Sequence, residues 1–96
     1  MITLTAILRC KPGSDAHIRA ALLEAARYAS GKEPGTVSYF VSEAAEGGVF
    51  VTHERYADRA ALDAHNDGPA AKAFFAAADG HLDKVDVVVG SEAFAG

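Results

Sequence analysis

Val49–His65, VFVTHERYADRAALDAH, places a strand, a turn and a helix start in one short stretch, and the fold follows from it. Side chains in a strand alternate between faces, so Phe50, Thr52, Glu54 and Tyr56 share one face and Val49, Val51, His53 and Arg55 the other. Asp58 stands where a helix N-cap belongs, its carboxylate able to accept from an otherwise unpaired backbone N–H. From there Ala61, Leu62 and His65 recur at three- and four-residue spacing on one helical face. If that helix folds back on the strand, Glu54, Tyr56 and His65 point into one space. That space is the candidate site.

Just before this stretch, Thr36 to Ser42 is rich in β-branched and aromatic residues and reads as another strand. Alternation puts Val37, Tyr39 and Val41 on one face and Ser38, Phe40 and Ser42 on the other. Glu46-Gly47-Gly48 joins the two strands, which predicts an antiparallel hairpin with a loop slightly longer than the tightest type. After His65, Asn66-Asp67-Gly68-Pro69 interrupts the helix, and Pro69 suits the first turn of a short second piece over Ala70 to Ala78, ended by Gly80. Phe74 and Phe75 are the only large apolar groups of that piece.

The outer elements complete the pattern. Ile2, Leu4, Ala6 and Leu8 alternate with Thr3, Thr5, Ile7 and Arg9 in an N-terminal strand stopped by Lys11-Pro12-Gly13. Ser14 is the expected N-cap of a helix to about Ser30, with Ile18, Leu22, Ala25 and Ala29 as its buried stripe. Gly31 is placed to end it in a left-handed conformation, and Glu33-Pro34-Gly35 makes the next turn. Val85, Val87 and Val89, with Val88 between them, form a last strand. The order is β-α-β-β-α-β with the second helix broken, an α+β, ferredoxin-like arrangement: an antiparallel sheet with its helices on one face, in a single domain over residues 1–96. The opposite face still carries Ile7, Phe40, Val49 and Val51, too apolar for open water, so two sheets packed face to face, a homodimer, are expected.

Composition narrows the function. Half of the 96 residues are hydrophobic, but many are alanine, so a core of this size offsets chain entropy only narrowly and a second copy would help. A net charge of −4 without a basic cluster argues against a nucleic-acid surface. No apolar run approaches the ~18 residues of a membrane span, and the first residues show no secretory signal pattern. The single cysteine, Cys10, has no internal partner and no neighbouring base, which fits packing in a cytoplasmic protein. His53-Glu54 lacks the second histidine of a zinc-protease helix, since Ala57 stands in its place on a strand, and four scattered histidines with one cysteine give no metal-ligand set. Gly47-Gly48 opens no helix, so there is no phosphate-binding loop.

KPG after the first strand, EPGTVSYFV at the second and VFVTHERYADRAALDAH at the centre, in that order and spacing, resemble the antibiotic biosynthesis monooxygenase (ABM) domain family. The likeness covers nearly the whole chain. It implies a homodimer whose sheets form an α+β barrel, with a pocket in each subunit between sheet and helices. Relatives include oxygenases that use neither flavin nor metal on quinol-like or polyketide substrates, haem-degrading enzymes and an isomerase of a signalling-sugar derivative, so the fold does not name the reaction. Haem-degrading relatives carry a strand-one asparagine and a tryptophan at the end of strand three. Here those places hold Ala6 and Tyr56, and the chain has no tryptophan, so haem degradation is rejected. Many other relatives have a second histidine about five residues beyond the one matching His65, where this chain has Ala70.

The expectation is therefore a cofactor-independent monooxygenase that takes dioxygen and a small quinol-like or polycyclic aromatic molecule. Such chemistry needs a dry pocket, a base, and donors where negative charge grows. His65 is the first candidate base, because imidazole changes charge near neutral pH. Glu54 would hold that ring or act as base itself, and Tyr56 and Tyr39 would donate to a substrate oxygen. Leu4, Ala6, Leu8, Phe50 and Phe74 are the expected walls. Structural readings stand beside these: His65 closing a helix C-terminus, Glu54 pairing with Arg55 or Lys72 at the rim, both tyrosines as core aromatics, His53 at the dimer face, His17 and His81 facing solvent. The same pocket would also serve an isomerase abstracting a proton beside a carbonyl, or a non-catalytic dimeric binding or stress-response barrel.

Overall fold

A computed structural model describes residues 1–96, in the order β1 (Ile2–Cys10), α1 (Asp15–Lys32), β2 (Thr36–Glu43), β3 (Val49–Tyr56), α2 (Arg59–Asn66), α3 (Pro69–Ala78) and β4 (Leu82–Ser91). The strands form one antiparallel sheet in the order β2-β3-β1-β4. Register places three rows across its inner face: Val89, Leu4, Glu54 and Tyr39; Val87, Ala6, Thr52 and Val41; Val85, Leu8 and Phe50. In β3 the expected alternation holds, Phe50, Thr52, Glu54 and Tyr56 being buried beneath the helices.

The stripe Ile18, Leu22, Ala25 and Ala29 of α1 is buried, and with Leu62 and Phe74 from the other helices it closes the core over the sheet. Complete burial of a side chain such as Ile18, 0% exposed, is worth about 1.5–3 kcal/mol. Asp58 caps α2 as expected, its Oδ1 accepting from Ala61 N at 2.9 Å. The break between α2 and α3 falls at Asp67-Gly68, with Pro69 at the start of α3. Gly68 packs where a Cβ would meet the Ala64 carbonyl oxygen at 2.9 Å, so the chain turns there without a side chain. At the hairpin, Gly47 and Gly48 hold φ of 79° and 77°, a left-handed geometry that costs a β-branched residue heavily. No helix is long and apolar enough to cross a membrane.

Four local expectations are corrected. Gly31 does not end α1 in a left-handed conformation: the helix runs on to Lys32, and Glu33 leaves it in extended geometry with its N–H on the Ala29 carbonyl. Ser14 sits at the N-cap position but its hydroxyl makes no capping bond, meeting His81 Nδ1 at 3.0 Å instead. Val37 does not share a face with Tyr39 and Val41, because a bulge between Thr36 and Ser38 gives β2 one extra residue, and Thr36 takes the inner position opposite Tyr56. His17 faces solvent as expected, but His81 does not: it is half-buried, its ring stacked on that of His17 at 4.0 Å.

Candidate active site

Between the inner face of the sheet and α1, α2 and α3 lies a cavity of about 360 Å³. Its body is apolar. Leu4, Ala6 and Leu8 of β1 and Val85, Val87 and Val89 of β4 form the floor, with Leu22, Ala25, Ala71 and Phe74 from the helices above. The β4 valines are 40%, 53% and 44% exposed, so the cavity opens along that strand. Phe75, 64% exposed and edge-on to Phe74, stands at the rim.

The polar groups gather at one end, where Glu54, Thr52, Tyr39, His65 and Asn66 line the wall. Glu54 is only 3% exposed, and a buried carboxylate is costly unless its oxygens are satisfied. Thr52 Oγ1 donates to Oε2 at 2.6 Å and Tyr56 Oη donates to Oε1 at 2.5 Å. All three side chains lie on one face of β3 because strand periodicity puts them there. Arg55, on the opposite face, makes a two-pronged ion pair with Glu92, so Glu54 pairs with neither Arg55 nor Lys72 at the rim.

His65 arrives from the last turn of α2 and is 6% exposed. Its Nδ1 lies 2.7 Å from Oε1 of Glu33, within hydrogen-bond reach, and its Nε2 lies 3.7 Å from Oε1 of Glu54, beyond it. The rings of Tyr56 and Tyr39 tilt against it with centroids 5.4 and 5.8 Å away. Burial holds the Tyr39 phenol far above its ordinary pKa, the Glu54 and Glu33 carboxylates adding to the effect. Tyr56 is raised further, by burial first and then by the bond it donates to Glu54. Both phenols therefore stay protonated, as donors.

The cluster unites most of the residues picked out in the sequence. Glu54, His65 and Tyr39 line one end, Leu4, Ala6, Leu8 and Phe74 line the body, and Tyr56, 0% exposed, lies beneath and holds Glu54. Phe50 does not line the cavity: it is 1% exposed in the core, with the Arg19 guanidinium 5.8 Å from its ring centre. Glu54 does not hold the imidazole. That contact belongs to Glu33, which sequence reading took only as a turn residue and which no periodicity would have placed beside His65. The β4 valines were read as a strand, but their place in the cavity depends on β4 pairing with β1. Ala70 faces a separate groove of about 230 Å³ between α1 and α3, while Ala71 faces the cavity. His53, outside on the other sheet face, bonds Thr5 Oγ1 through Nδ1 at 2.9 Å. No group of three or more His, Cys, Asp or Glu side chains converges as a metal site would require.

The model of the family described as "Antibiotic biosynthesis monooxygenase" matches residues 1–77. Among solved structures, Rv0793 from Mycobacterium tuberculosis is 29% identical, with a TM-score of 0.90 over 98% of this chain and 96% of that one. A candidate antibiotic biosynthesis monooxygenase from Nitrosomonas europaea superposes with a TM-score of 0.91 at 16% identity, over 98% of this chain and 100% of that one. PA3566 from Pseudomonas aeruginosa gives 0.87 at 21% identity, over 95% and 92%. The last two likenesses speak for the fold alone. Comparison with curated proteins gives no match.

Proposed function

Because the chain belongs to the antibiotic biosynthesis monooxygenase family, we propose that it is a cofactor-independent monooxygenase for a quinol-like or polycyclic aromatic small molecule, with His65 as its base. The observation that carries this reading is the imidazole at the polar end of an apolar cavity, its Nδ1 occupied and its Nε2 turned toward Glu54 without a hydrogen bond. The unprotonated nitrogen of a neutral imidazole accepts a proton.

A hydroxyl of the bound aromatic gives its proton to Nε2. The resulting anion is electron-rich enough to pass one electron to dioxygen, and recombination of the two radicals forms a carbon–oxygen bond to a peroxide. The imidazolium returns its proton to the peroxide; the ring carbon that carries it then loses its own C–H proton as the O–O bond breaks, and the departing hydroxide takes that proton and leaves as water. One oxygen atom stays on the ring as a carbonyl or hydroxyl and the other leaves as water, so a hydroquinone ends as a hydroxyquinone without an external reductant. Tyr39 donates to the substrate oxygen as negative charge grows, and its half-buried phenol, with its pKa raised, remains protonated while doing so. The apolar walls favour an aromatic ring over water in the body of the cavity.

The proposal includes a homodimer joined through the outer sheet face, where Phe40 and Val88 are 61% and 69% exposed beside Ile7, Val49 and Val51.

An oxygen electrode tests the reaction. With a panel of hydroquinones and dihydroxynaphthalenes, the protein should consume dioxygen on at least one compound, and His65→Ala should reduce the rate by about 10²–10⁴-fold, the span of a general base. Turnover of an enolisable carbonyl compound without oxygen uptake would assign the pocket to isomerisation instead.

A further inference from the structure

Resting on that reading, we infer that Glu33 is a positioning residue of the site: it fixes the tautomer and the orientation of His65, so that Nε2 presents its lone pair to the substrate. Glu33 does not line the cavity, and so acts only through the imidazole.

The geometry leaves one arrangement. Oε1 of Glu33 accepts from Nδ1 of His65 at 2.7 Å and from Oγ1 of Thr36 at 2.9 Å. A carboxylate oxygen only accepts, so Nδ1 carries the hydrogen and a neutral ring keeps its lone pair on Nε2. At the far end of the ring Glu54 does not compete for that role, because its Oε1, which holds the Tyr56 hydroxyl, is 3.7 Å from Nε2 and beyond hydrogen-bond reach. The ring is gripped at one nitrogen and free at the other. Once His65 takes a proton, the imidazolium lies between two carboxylates, Glu33 in direct contact and Glu54 just beyond it, which stabilises the charge the base acquires.

Glu33 is itself held. It follows α1, its N–H bonded to the Ala29 carbonyl at 3.3 Å, and its own carbonyl accepts from Thr36 N at 3.1 Å across the Pro34-Gly35 turn. Its Oε2 is buried and meets no protein donor, so the side chain is tied through Oε1 alone.

Two measurements test this on the full chain. In the first, long-range nitrogen–proton NMR of the wild-type protein should show neutral His65 with hydrogen on Nδ1. Hydrogen on Nε2 would overturn the inference, and this arm needs neither substrate nor turnover. In the second, Glu33→Gln is expected to lower kcat about tenfold or more, part of the 10²–10⁴ a general base contributes, with KM changed less than about twofold. It should also lose the unique tautomer, since an amide both donates and accepts. Glu33→Asp, which keeps the acceptor on a shorter arm, should recover part of kcat and the Nδ1–H signal. Unchanged kcat and tautomer in Glu33→Gln would contradict the inference. If Glu33→Gln does not fold, the wild-type spectrum together with Glu33→Asp decides. Hydrogen on Nδ1 without oxygen uptake on any compound would leave Glu33 in its role and discard the oxygenase reading.

Discussion

Tyr56 stabilises the site through one bond, the hydroxyl it donates to Glu54 Oε1. Tyr56→Phe leaves that buried oxygen without its donor, and a lost partner of this kind costs about 1–3 kcal/mol. Urea unfolding should show a loss in that range, and an unchanged midpoint would mean that Glu54 finds a replacement. The buried Tyr56 and the half-buried Tyr39 also make alkaline pH a probe of the same cluster. Their pKa values in the folded chain are raised above the ordinary 10.0, so their contribution to stability is complete below about pH 10 and is lost as pH rises toward the folded values. Tyrosinate absorbance of the native protein near pH 10.5 should therefore be the same in the Tyr39→Phe, Tyr56→Phe double variant as in the wild type. A clear drop in the variant would show that the two phenols ionise in the folded state. At this scale the sequence was informative wherever a strand's period of two applied: Glu54, Thr52 and Tyr56 follow from alternation alone. Glu33 was not legible, because the contact joins residues far apart in the chain and depends on how closely a turn approaches a helix.

That approach belongs to the scale of elements. The Pro34-Gly35 turn packs so tightly on α2 that a Cβ on Gly35 would lie 2.4 Å from the Cβ of Ala61. Gly35→Ala is therefore expected to destabilise the fold by about 1–3 kcal/mol, as overpacking does, and to lower oxygen uptake by shifting the helix that carries His65. Thermal unfolding and the oxygen electrode read the two effects, and a variant as stable and as active as the wild type would show that turn and helix are loosely coupled. The Asp58 cap supports the same helix, so Asp58→Ala should cost about 1 kcal/mol. Helix existence, the Asp58 cap and the break before Pro69 were legible because caps, proline and apolar spacing are local signals. Gly31 and Val37 were misread for the complementary reason. Helix propagation carried α1 past a permissive residue, and a bulge is decided by pairing with the neighbouring strand, which no single segment reveals.

For the whole molecule, the strand order explains the cavity. β4 lies at the sheet edge beside β1, and its inward valines form floor where the helices leave them partly exposed. The ferredoxin-like order could be read from the succession of elements, whereas the cavity could not, since its lining comes from strands and helices distant in sequence. The outer face poses the question of assembly. Phe40, 61% exposed, sits opposite His53 on that face; the proposed dimer predicts a wild type that sediments as two copies and a Phe40→Lys variant that sediments as monomer. A dimer that survives the change would place the interface elsewhere.

Mass spectrometry of the product formed under isotopically labelled dioxygen bears most directly on the reaction assigned to the His65 cavity. An oxygenase of this kind puts one labelled atom into each product molecule and the other into water, with the incorporation lost in His65→Ala. A product formed with no label, or label incorporated equally by the His65→Ala variant, would contradict it.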